Sequence, residues 1–413
     1  MRILFVHQNF PGQYVHVARA LAARPGCEVV ALGMTRQTTI PGVRMATHSP
    51  TLGSTPTIHP LAADFETKVI RAESAARAAL RLRAEGFVPD VICGHPGWGE
   101  TLFLKDVWPG ARILSFVEFV YRAEGGDVGF DPEFPLDGDE APWRIRTKNA
   151  GLFLAFSASD WFVAPTRWQA QQVPSQYADR VSVIHDGIDT DTVRPNPKAT
   201  VTLGRGGLTL RPGDEVITFV NRNLEPYRGY HSFMRALPEI LRRRPRARAI
   251  LVGGHGVSYG GKPPGGRSYR DIYLEEVQAD LDMSRVHLVG TLSYANYLSL
   301  LQVSAAHVYL TYPFVLSWSL LESMAAGCAV IGSRTAPVEE VVQHGRNGVL
   351  VDFFSKTEIA DAVVDALARP HAHRELRQAA RRTAEGYDLR KVCLPRQIRL
   401  IERVAAGDFP EVG

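Results

Sequence analysis

Residues 311–342 read TYPFVLSWSLLESMAAGCAVIGSRTAPVEEVV, and this stretch decides the fold. Its first residues continue an apolar strand, which Pro313 breaks because proline cannot donate a ladder hydrogen bond. A helix is predicted next, since Ser317 and Ser319 are good N-cap residues and Ser319 precedes Glu322 at the spacing of a capping box. A helix that begins beyond the carboxyl end of a strand presents free backbone N–H groups and a partial positive charge. The stretch therefore predicts a site for an anionic ligand in an open α/β sheet.

The same stretch also predicts the end of this helix and the strand after it. Gly327 supplies a helix stop, and residues 328–332 have the composition of a buried parallel strand. Within the helix, apolar residues recur at helical spacing, namely Leu320, Leu321, Met324 and Ala325. The order of strand, loop, helix and strand is the repeating unit of a doubly wound sheet.

The rest of the chain repeats this unit in two series, separated by a linker that Pro195 and Pro197 mark. Short apolar runs predict strands at 2–6, 27–32, 90–93, 112–116, 161–164 and 181–184, and then at 215–220, 249–252, 286–289, 306–310, 329–331 and 349–351. The predicted fold class is α/β, with two Rossmann-like domains whose parallel sheets face each other across a central cleft. We expect an N-terminal domain over 1–195, a C-terminal domain over 196–388 and a final helix within 389–413.

The composition is that of an ordinary globular protein, with 413 residues, 45% hydrophobic and 22% charged. This length suffices for two domains with separate cores. The 47 basic and 43 acidic residues give a net charge of +4, and the basic residues form no patch, so no nucleic-acid partner is expected. The four cysteines are widely separated and form no C-x-x-C pair, which argues against a zinc site or a disulfide framework.

The apolar run at the N-terminus, MRILFV, is too short for a signal peptide and is predicted to be the first strand. No apolar stretch reaches the roughly 20 residues that a membrane span needs. These features favour a cytoplasmic protein. The helix predicted over 61–84 carries scattered arginines and Lys68, so peripheral contact with the inner face of a membrane stays open beside the simpler interpretation, a solvated helix face.

Five segments resemble motifs of glycosyltransferase family 4, whose members are retaining enzymes of the GT-B fold. The segment ESMAAGCAV at 322–330 resembles the second half of a signature that contains two glutamates eight positions apart. The other segments are DVICGH at 90–95, VIHDGIDTDTVRP at 183–195, NRNLEPYRG at 221–229 and EVVQHGRNGVLV at 340–351. The resemblance runs the length of the chain, and the motifs occur in the family's order.

The resemblance implies that loops of the C-terminal domain hold the diphosphate of a nucleotide sugar. Arg222 and Arg228 would contact this diphosphate, and arginine in place of the usual lysine at the second position keeps the charge and adds bidentate reach. The N–H groups around Ser317, Trp318 and Ser319 would cap the same phosphates. These groups would stabilise the charge that develops on the leaving diphosphate. No metal ion or other cofactor is expected.

The resemblance also implies contacts to the ribose, the sugar and the acceptor. Glu322 would accept hydrogen bonds from ribose hydroxyls, and His95 would reach the transferred sugar or its phosphate. Gly12, after the first strand, would let the donor or acceptor approach the backbone. The donor would be a UDP- or GDP-sugar on the C-terminal domain, and the acceptor, a hydroxyl compound of unassigned class, would lie on the N-terminal domain. The last helix, from about Leu389, would cross back to the N-terminal domain.

One position departs from the family's pattern. Phe314 stands eight residues before Glu322, where the family usually has a glutamate that contacts the donor sugar. A phenyl ring accepts no hydrogen bond from a sugar hydroxyl. Glu118 and Glu340 are the acidic candidates to replace this contact. Otherwise the donor binds differently, or the activity is lost.

The most direct hypothesis is a retaining glycosyltransferase that moves a sugar from a nucleotide-diphosphate sugar to a hydroxyl acceptor. A non-catalytic nucleotide-sugar-binding relative and a GT-B-type sugar-nucleotide epimerase are the alternatives. A nucleotide-dependent oxidoreductase is disfavoured because the loop at 7–13 lacks G-x-G-x-x-G.

Asp189 and Asp191 form a D-x-D pair within the linker, where a metal site is not expected. The glycine-rich segment at 256–263 places Pro263 where a P-loop needs a hydroxyl residue, so it is not expected to bind phosphate.

Overall fold

The computed structural model describes residues 1–34, 39–135, 138–204 and 207–410. It divides into two compact units, the first formed by Met1–Gly187 with Arg390–Gly413 and the second by Ile188–Leu389. The junction after Gly187 lies earlier than the domain end expected at residue 195. The first unit is therefore built from both ends of the chain.

The first unit contains a seven-stranded parallel sheet with the order β3-β2-β1-β4-β5-β6-β7. Its strands are β1 (Arg2–Val6), β2 (Glu28–Gly33), β3 (Val43–Thr47), β4 (Val91–Gly94), β5 (Arg112–Phe116), β6 (Trp161–Ala164) and β7 (Val181–Val183). The central strands are apolar along their length because both faces of the sheet are covered. The strand order reverses between β1 and β4, which creates a topological switch point at their carboxyl ends.

Strand β3 is not predicted by the sequence pattern. It pairs with β2 at the edge of the sheet, and its five residues are all partly or fully exposed. An edge strand that buries little surface lacks the continuous apolar run by which central parallel strands are recognised. The helices before the junction are α1 (Val15–Ala22), α2 (Ala63–Ala84), α3 (Leu104–Val107), α4 (Ala141–Lys148), α5 (Ala150–Ser157) and α6 (Arg167–Ala170).

The second unit begins with a short antiparallel ribbon and continues as a six-stranded parallel sheet. The ribbon consists of β8 (Val201–Thr202) and β9 (Thr209–Leu210). The sheet has the order β12-β11-β10-β13-β14-β15, formed by β10 (Val216–Asn223), β11 (Arg248–Gly254), β12 (Val286–Gly290), β13 (Ala306–Tyr309), β14 (Ala329–Ser333) and β15 (Val349–Val351). Its switch point lies between β10 and β13. The strands predicted from apolar runs are thus confirmed, although several of their ends differ.

Helices of the second unit surround its sheet. They are α7 (Tyr230–Arg243), α8 (Tyr269–Val277), α9 (Tyr294–Val303), α10 (Trp318–Ala326), α11 (Ala336–Glu339), α12 (Lys356–Ala368) and α13 (Arg374–Glu385). Helix α10 ends at Gly327, whose φ of 84° confirms the predicted stop. Among the described residues, no helix combines the length and the apolarity that crossing a bilayer requires.

The last helix, α14 (Leu394–Ala406), completes the core of the first unit. Ile398, Ile401 and Val404 are buried in one apolar cluster with Phe5 and Trp161 of the sheet. Their spacing of three places them on one face of the helix. Removing this helix would expose that face of the sheet to water.

Candidate functional site

The residues singled out from the sequence follow the strands that flank the two switch points. In the second unit, Arg222 and Arg228 lie at and beyond the end of β10, and Phe314 and Ser317 lie beyond β13. Because β10 and β13 are parallel neighbours, their carboxyl ends meet at the same edge of the sheet. Ligands of open α/β sheets bind at such an edge.

Arg228 joins the loops that follow β10 and β13. Its side chain is buried, and its Nη1 atom donates hydrogen bonds of 2.8 Å to Thr311 Oγ1 and 2.8 Å to the Val315 carbonyl oxygen. Hydrogen bonds from a charged donor are stronger than neutral ones and cost more to break when buried. In this structure Arg228 therefore fixes the path of the loop that leads into α10.

Phe314 packs against Arg228 in a cluster of aromatic rings. The Arg228 Cζ atom lies 5.5 Å from the centroid of the Phe314 ring and 5.1 Å from that of Tyr259. The Phe314 ring lies 4.7 Å from the Tyr259 ring and 5.5 Å, edge-on, from the Tyr227 ring. Such contacts combine cation–π attraction with apolar burial. The residue that replaces the family's glutamate is therefore buried packing beside Arg228.

The glycine-rich loop after β11 is held by two residues that the sequence analysis did not select. The Glu225 carboxylate accepts hydrogen bonds from the backbone N–H groups of Ser258, at 3.0 Å, and Tyr259, at 3.1 Å. Asn223 accepts one from the Gly256 N–H group at 3.0 Å and donates one to Ser258 Oγ at 2.8 Å. Burial raises the pKa of Glu225. In the sequence, α7 and β11 separate Asn223 and Glu225 from the glycine-rich loop. Only the tertiary fold brings the two segments together.

The N-terminus of α10 is capped by Ser317. Its Oγ atom accepts a hydrogen bond from the Ser319 N–H group at 3.3 Å, and its own N–H group donates to Tyr309 Oη at 2.7 Å. A phosphate at this turn would therefore compete with two existing bonds. Trp318, the first residue of the helix, is 45% exposed. Glu340 directly follows α11 and is half-buried.

The predicted capping box between Ser319 and Glu322 is wrong, because the Glu322 carboxylate is bonded elsewhere. Its two oxygens accept hydrogen bonds from Tyr294 Oη at 2.9 Å and Tyr297 Oη at 2.8 Å, both at the start of α9. Burial raises the pKa of Glu322, and the two phenol hydrogen bonds act in the opposite direction. Each carboxylate oxygen keeps a second lone pair, so the group can still accept hydrogen bonds from a ligand.

Arg222 contrasts with Arg228. Its side chain is exposed at the end of β10, and within the described part of the chain it forms no hydrogen bond or ion pair. A solvated guanidinium near a switch point is available to an anionic ligand without breaking a protein contact.

In the first unit, His95 follows β4 at the switch point and caps the short turn Pro96–Trp98. Its Nδ1 atom accepts a hydrogen bond from the Gly97 N–H group at 3.3 Å, so a neutral ring carries its proton on Nε2. That Nε2 atom lies 3.1 Å from Glu118 Oε2, to which it donates. The ring is buried and stacks against those of Trp98 and Phe116, each at 5.8 Å.

The loop after β1 meets His95 through His7. Their ring centroids lie 5.4 Å apart, and burial, followed by the neighbouring His95, lowers the pKa of His7 to about 4. Gly12 covers the His7 ring with φ at 48°, and a Cβ atom there would lie 2.7 Å from His7 Nε2. A side chain at position 12 is thus excluded by His7 as well as by backbone conformation.

Two family models match most of the chain. The model described as "Glycosyl transferase family 4 group" matches residues 25–193, and that described as "Glycosyl transferases group 1" matches residues 205–383. Together with the two Rossmann-like sheets, these matches define the class: the chain belongs to the family 4 glycosyltransferases of the GT-B fold.

Curated relatives with similar sequences are named D-inositol 3-phosphate glycosyltransferases. The protein of Catenulispora acidiphila is 28% identical over 286 residues, which cover 68% of this chain and 61% of that protein. The protein of Streptomyces coelicolor is 26% identical, over 72% of this chain and 64% of the relative. The match thus leaves more than a third of each relative's length uncovered.

Solved structures share the fold across nearly the whole chain. Sucrose-phosphate synthase from Thermosynechococcus elongatus has a TM-score of 0.73 at 18% identity, covering 98% of this chain and 100% of that one. HepE of Anabaena, crystallised with UDP, has a TM-score of 0.64 at 15% identity, with coverages of 98% and 100%. At these identities the likeness concerns the fold alone.

Proposed function

We propose that the protein is a retaining glycosyltransferase that moves a sugar from a nucleotide-diphosphate sugar, UDP- or GDP-linked, to a hydroxyl acceptor. The observation that carries this assignment is the group of residues at the β10/β13 switch point. An exposed guanidinium lies at the end of β10 (Arg222), and a buried one lies beyond it (Arg228). A carboxylate oriented by two phenols (Glu322) lies in α10, the helix that follows β13. HepE, a protein of the same fold, was crystallised with UDP-glucose, which supports a nucleotide-sugar donor.

The residues divide between the parts of such a donor. Arg222 contacts the diphosphate and stabilises the negative charge that grows as the bond between the sugar's anomeric carbon and the phosphate oxygen breaks. Arg228 keeps the 311–315 loop in place around it. Glu322 accepts hydrogen bonds from the ribose hydroxyls. Arg222 places a positive charge at the diphosphate, where other enzymes use a metal ion, so transfer is proposed to be metal-independent.

In this mechanism the acceptor oxygen attacks the anomeric carbon of the donor sugar on the same face from which the diphosphate departs. The bond from the anomeric carbon to the acceptor oxygen forms as the bond to phosphate breaks, and the acceptor's proton passes to the departing phosphate oxygen. His95, whose Nε2 atom donates to Glu118, is proposed to bind the transferred sugar or its phosphate. A cytoplasmic location is part of the same proposal, with peripheral contact at the inner face of the membrane as the alternative to a solvated face of α2.

The test measures binding and turnover separately. Thermal shifts with UDP, GDP and ADP should reveal stabilisation by one nucleoside diphosphate. A labelled donor sugar should then be hydrolysed or transferred by the wild type with retention at the anomeric carbon, read by NMR. Glu322→Ala should lower the affinity, whereas Glu375→Ala, an exposed carboxylate on α13, should not. The absence of a shift with any nucleotide would reject the assignment.

A second candidate function is nucleotide-sugar binding without transfer. Phe314 favours it, because the position that carries a sugar-binding glutamate in the family is occupied here by a buried ring. Nucleotide binding without any turnover of UDP- or GDP-sugars would support this candidate over the enzyme.

A further inference from the structure

A pocket of the first unit opens beside His95 and has charged groups at two places. The side chains that line it include aromatic rings, such as Trp98 and Tyr121, together with Glu118, Lys68 and Lys148. Asn149 also lines the pocket. Its side chain accepts a hydrogen bond from the Tyr121 N–H group at 3.2 Å and donates one to the Tyr121 carbonyl oxygen at 2.7 Å. The wall that carries Tyr121 is therefore tied to the start of α5.

Lys148 supplies a positive charge to which no described residue offers a hydrogen-bond acceptor. Its Nζ atom lies 3.7 Å from the centroid of the Tyr121 ring, a cation–π contact. Within the described ranges, this ammonium forms neither a hydrogen bond nor an ion pair. Burial lowers the pKa of Lys148, with partial compensation from the charges of Asp64 and Asp127. A partly desolvated ammonium with three N–H donors and only a ring face as partner gains most from an anionic ligand.

Lys68 differs because its hydrogen bonds are made within the protein. Its Nζ atom lies 2.7 Å from Asp64 Oδ2 and donates to the Lys148 carbonyl oxygen at 2.9 Å. A Cβ atom at Gly151 would lie 2.9 Å from its Cδ atom, so the side chain is also held by packing. Lys68 therefore supports the end of α4 and places Lys148, while its own charge is matched by Asp64.

Another lining residue of the pocket, Glu118, is an acceptor of hydrogen bonds. Its carboxylate accepts a hydrogen bond from His95 Nε2–H, and its side chain is 47% exposed. A carboxylate in this state accepts further hydrogen bonds from hydroxyl groups. A matching ligand presents hydroxyls to Glu118 and a negative group to Lys148, with a carbon frame that contacts the aromatic rings.

We infer that the acceptor is a polyol or sugar that carries an anionic group, a phosphate ester or a carboxylate, and that Lys148 binds this group. The inference rests on the proposed function for the identity of the ligand as acceptor. It names Lys148 as the residue that selects anionic over neutral acceptors, and Lys68 as a positioning residue.

The test compares neutral compounds with their anionic counterparts by calorimetry, in the presence of the stabilising nucleoside diphosphate. Glucose is paired with glucose 6-phosphate and with glucuronate, myo-inositol with its monophosphates, and inorganic phosphate measures the free anion alone. We expect at least one anionic member to bind about tenfold or more tightly than its neutral partner. Lys148→Met should remove this preference, and Lys148→Arg should keep it. Arg146→Met, an exposed residue of the same helix, is the matched control and should change nothing.

The outcomes separate this inference from the proposed function. Nucleotide binding depends on the second unit, so Lys148→Met should show the wild-type thermal shift with nucleotide, which also proves that it folds. Equal binding of neutral and anionic compounds by the wild type, no binding of any anionic compound, or a preference that survives in Lys148→Met would overturn the inference. If only inorganic phosphate binds, the site holds an adventitious anion and the inference also fails. A missing nucleotide shift would reject the proposed function and the identity of the ligand as acceptor, whereas a preference for anionic compounds that depends on Lys148 would still establish the anion site.

Discussion

At the scale of single residues, the two arginines near the end of β10 have different surroundings. Arg228 is buried and bonded to the 311–315 loop, whereas Arg222 is exposed and unbonded in the described structure. Equal charge in the sequence therefore corresponds to different surroundings: Arg228 holds a loop, and Arg222 is proposed to contact the diphosphate. Glu322 and Phe314 show a similar contrast, and each gives a prediction.

Glu322→Gln should weaken binding of the nucleoside diphosphate about tenfold while leaving the fold intact. The amide keeps the size of the side chain but loses the charge and one acceptor oxygen, a change typically worth about 1–3 kcal/mol. Isothermal titration calorimetry checks this, with Glu375→Gln on the exposed face of α13 as control. An unchanged dissociation constant would show that Glu322 serves only its two tyrosines.

Phe314→Ala should destabilise the second unit by about 3–5 kcal/mol, because it leaves a cavity among Tyr227, Tyr259 and Arg228. Urea unfolding monitored by circular dichroism measures the change. Phe354→Ala, which removes an aromatic side chain that is 44% exposed, is the matched control and should cost much less. A loss of equal size in both variants would contradict the packing role.

At the scale of elements, the loop after β11 is held by hydrogen bonds with Asn223 and Glu225. Glu225 receives two successive backbone N–H groups, those of Ser258 and Tyr259, and thereby fixes a glycine-rich segment that has little structure of its own. Tyr259 in turn contacts Arg228, so the loop connects to the switch point through one ring. The order of this loop is therefore imposed from β10 and its following turn.

Glu225→Ala should release the loop without unfolding the sheet. The amides of Ser258 and Tyr259 lose their acceptor, and hydrogen exchange at these two positions should accelerate about tenfold or more, since their opening costs about 1–3 kcal/mol less. Mass spectrometry or NMR measures this exchange, with the β11 amides as the internal control. Equal protection in the variant would mean that another group holds the loop.

At the scale of the whole molecule, each compact unit has its own core, and the first draws on residues from both ends of the chain. The apolar face of α14 covers the sheet beside β1 and β5, and the stacking of Phe409 on Trp161, at 5.5 Å, extends this contact beyond the helix. Folding of the first unit thus requires residues that follow the second unit in the sequence.

Ile401→Ala should lower the unfolding free energy of the first unit by about 2–5 kcal/mol, because it empties a site in that core. Arg399→Ala, exposed on the same helix, should change it by less than about 0.5 kcal/mol. Thermal unfolding read by tryptophan fluorescence compares the two. Equal midpoints would show that α14 contributes little to the unit.

Acid should destabilise the protein through buried neutral histidines. Burial lowers the pKa of His185 to about 4 and that of His307 to about 3. The unfolded chain binds these protons near pH 6.5 and the folded chain does not, so the stability that is complete above pH 6.5 falls as the pH drops toward 4. Across that pH range, proton uptake by each histidine in the unfolded chain lowers the free energy of unfolding by about 3 kcal/mol. His185→Asn should make the pH dependence shallower by about one proton in urea titrations, whereas His371→Asn, which is exposed, should not.

Local signals in the sequence predicted much of the fold. Apolar runs predicted the central strands, serine and glycine predicted the limits of α10, and the order of two strand–helix series predicted the pair of parallel sheets. The edge strand β3 was missed because its residues are partly exposed and carry no continuous apolar run. The capping box was wrong because spacing along a helix does not reveal competing donors from another helix, here Tyr294 and Tyr297.

The sequence by itself determined the class of fold, the central strands, the limits of α10 and the family, because these depend on periodicity, on caps and on motifs that are contiguous in the chain. The tertiary structure alone decided which side chains share their charges and hydrogen bonds. It buried Arg228 under Phe314, gave Glu322 two phenols and left the Lys148 ammonium facing a ring. The sequence could not reveal these contacts, because hydrogen bonds and burial act between residues that are near in space and far apart in sequence. In the stretch at 311–342 this holds for Phe314 and for Glu322.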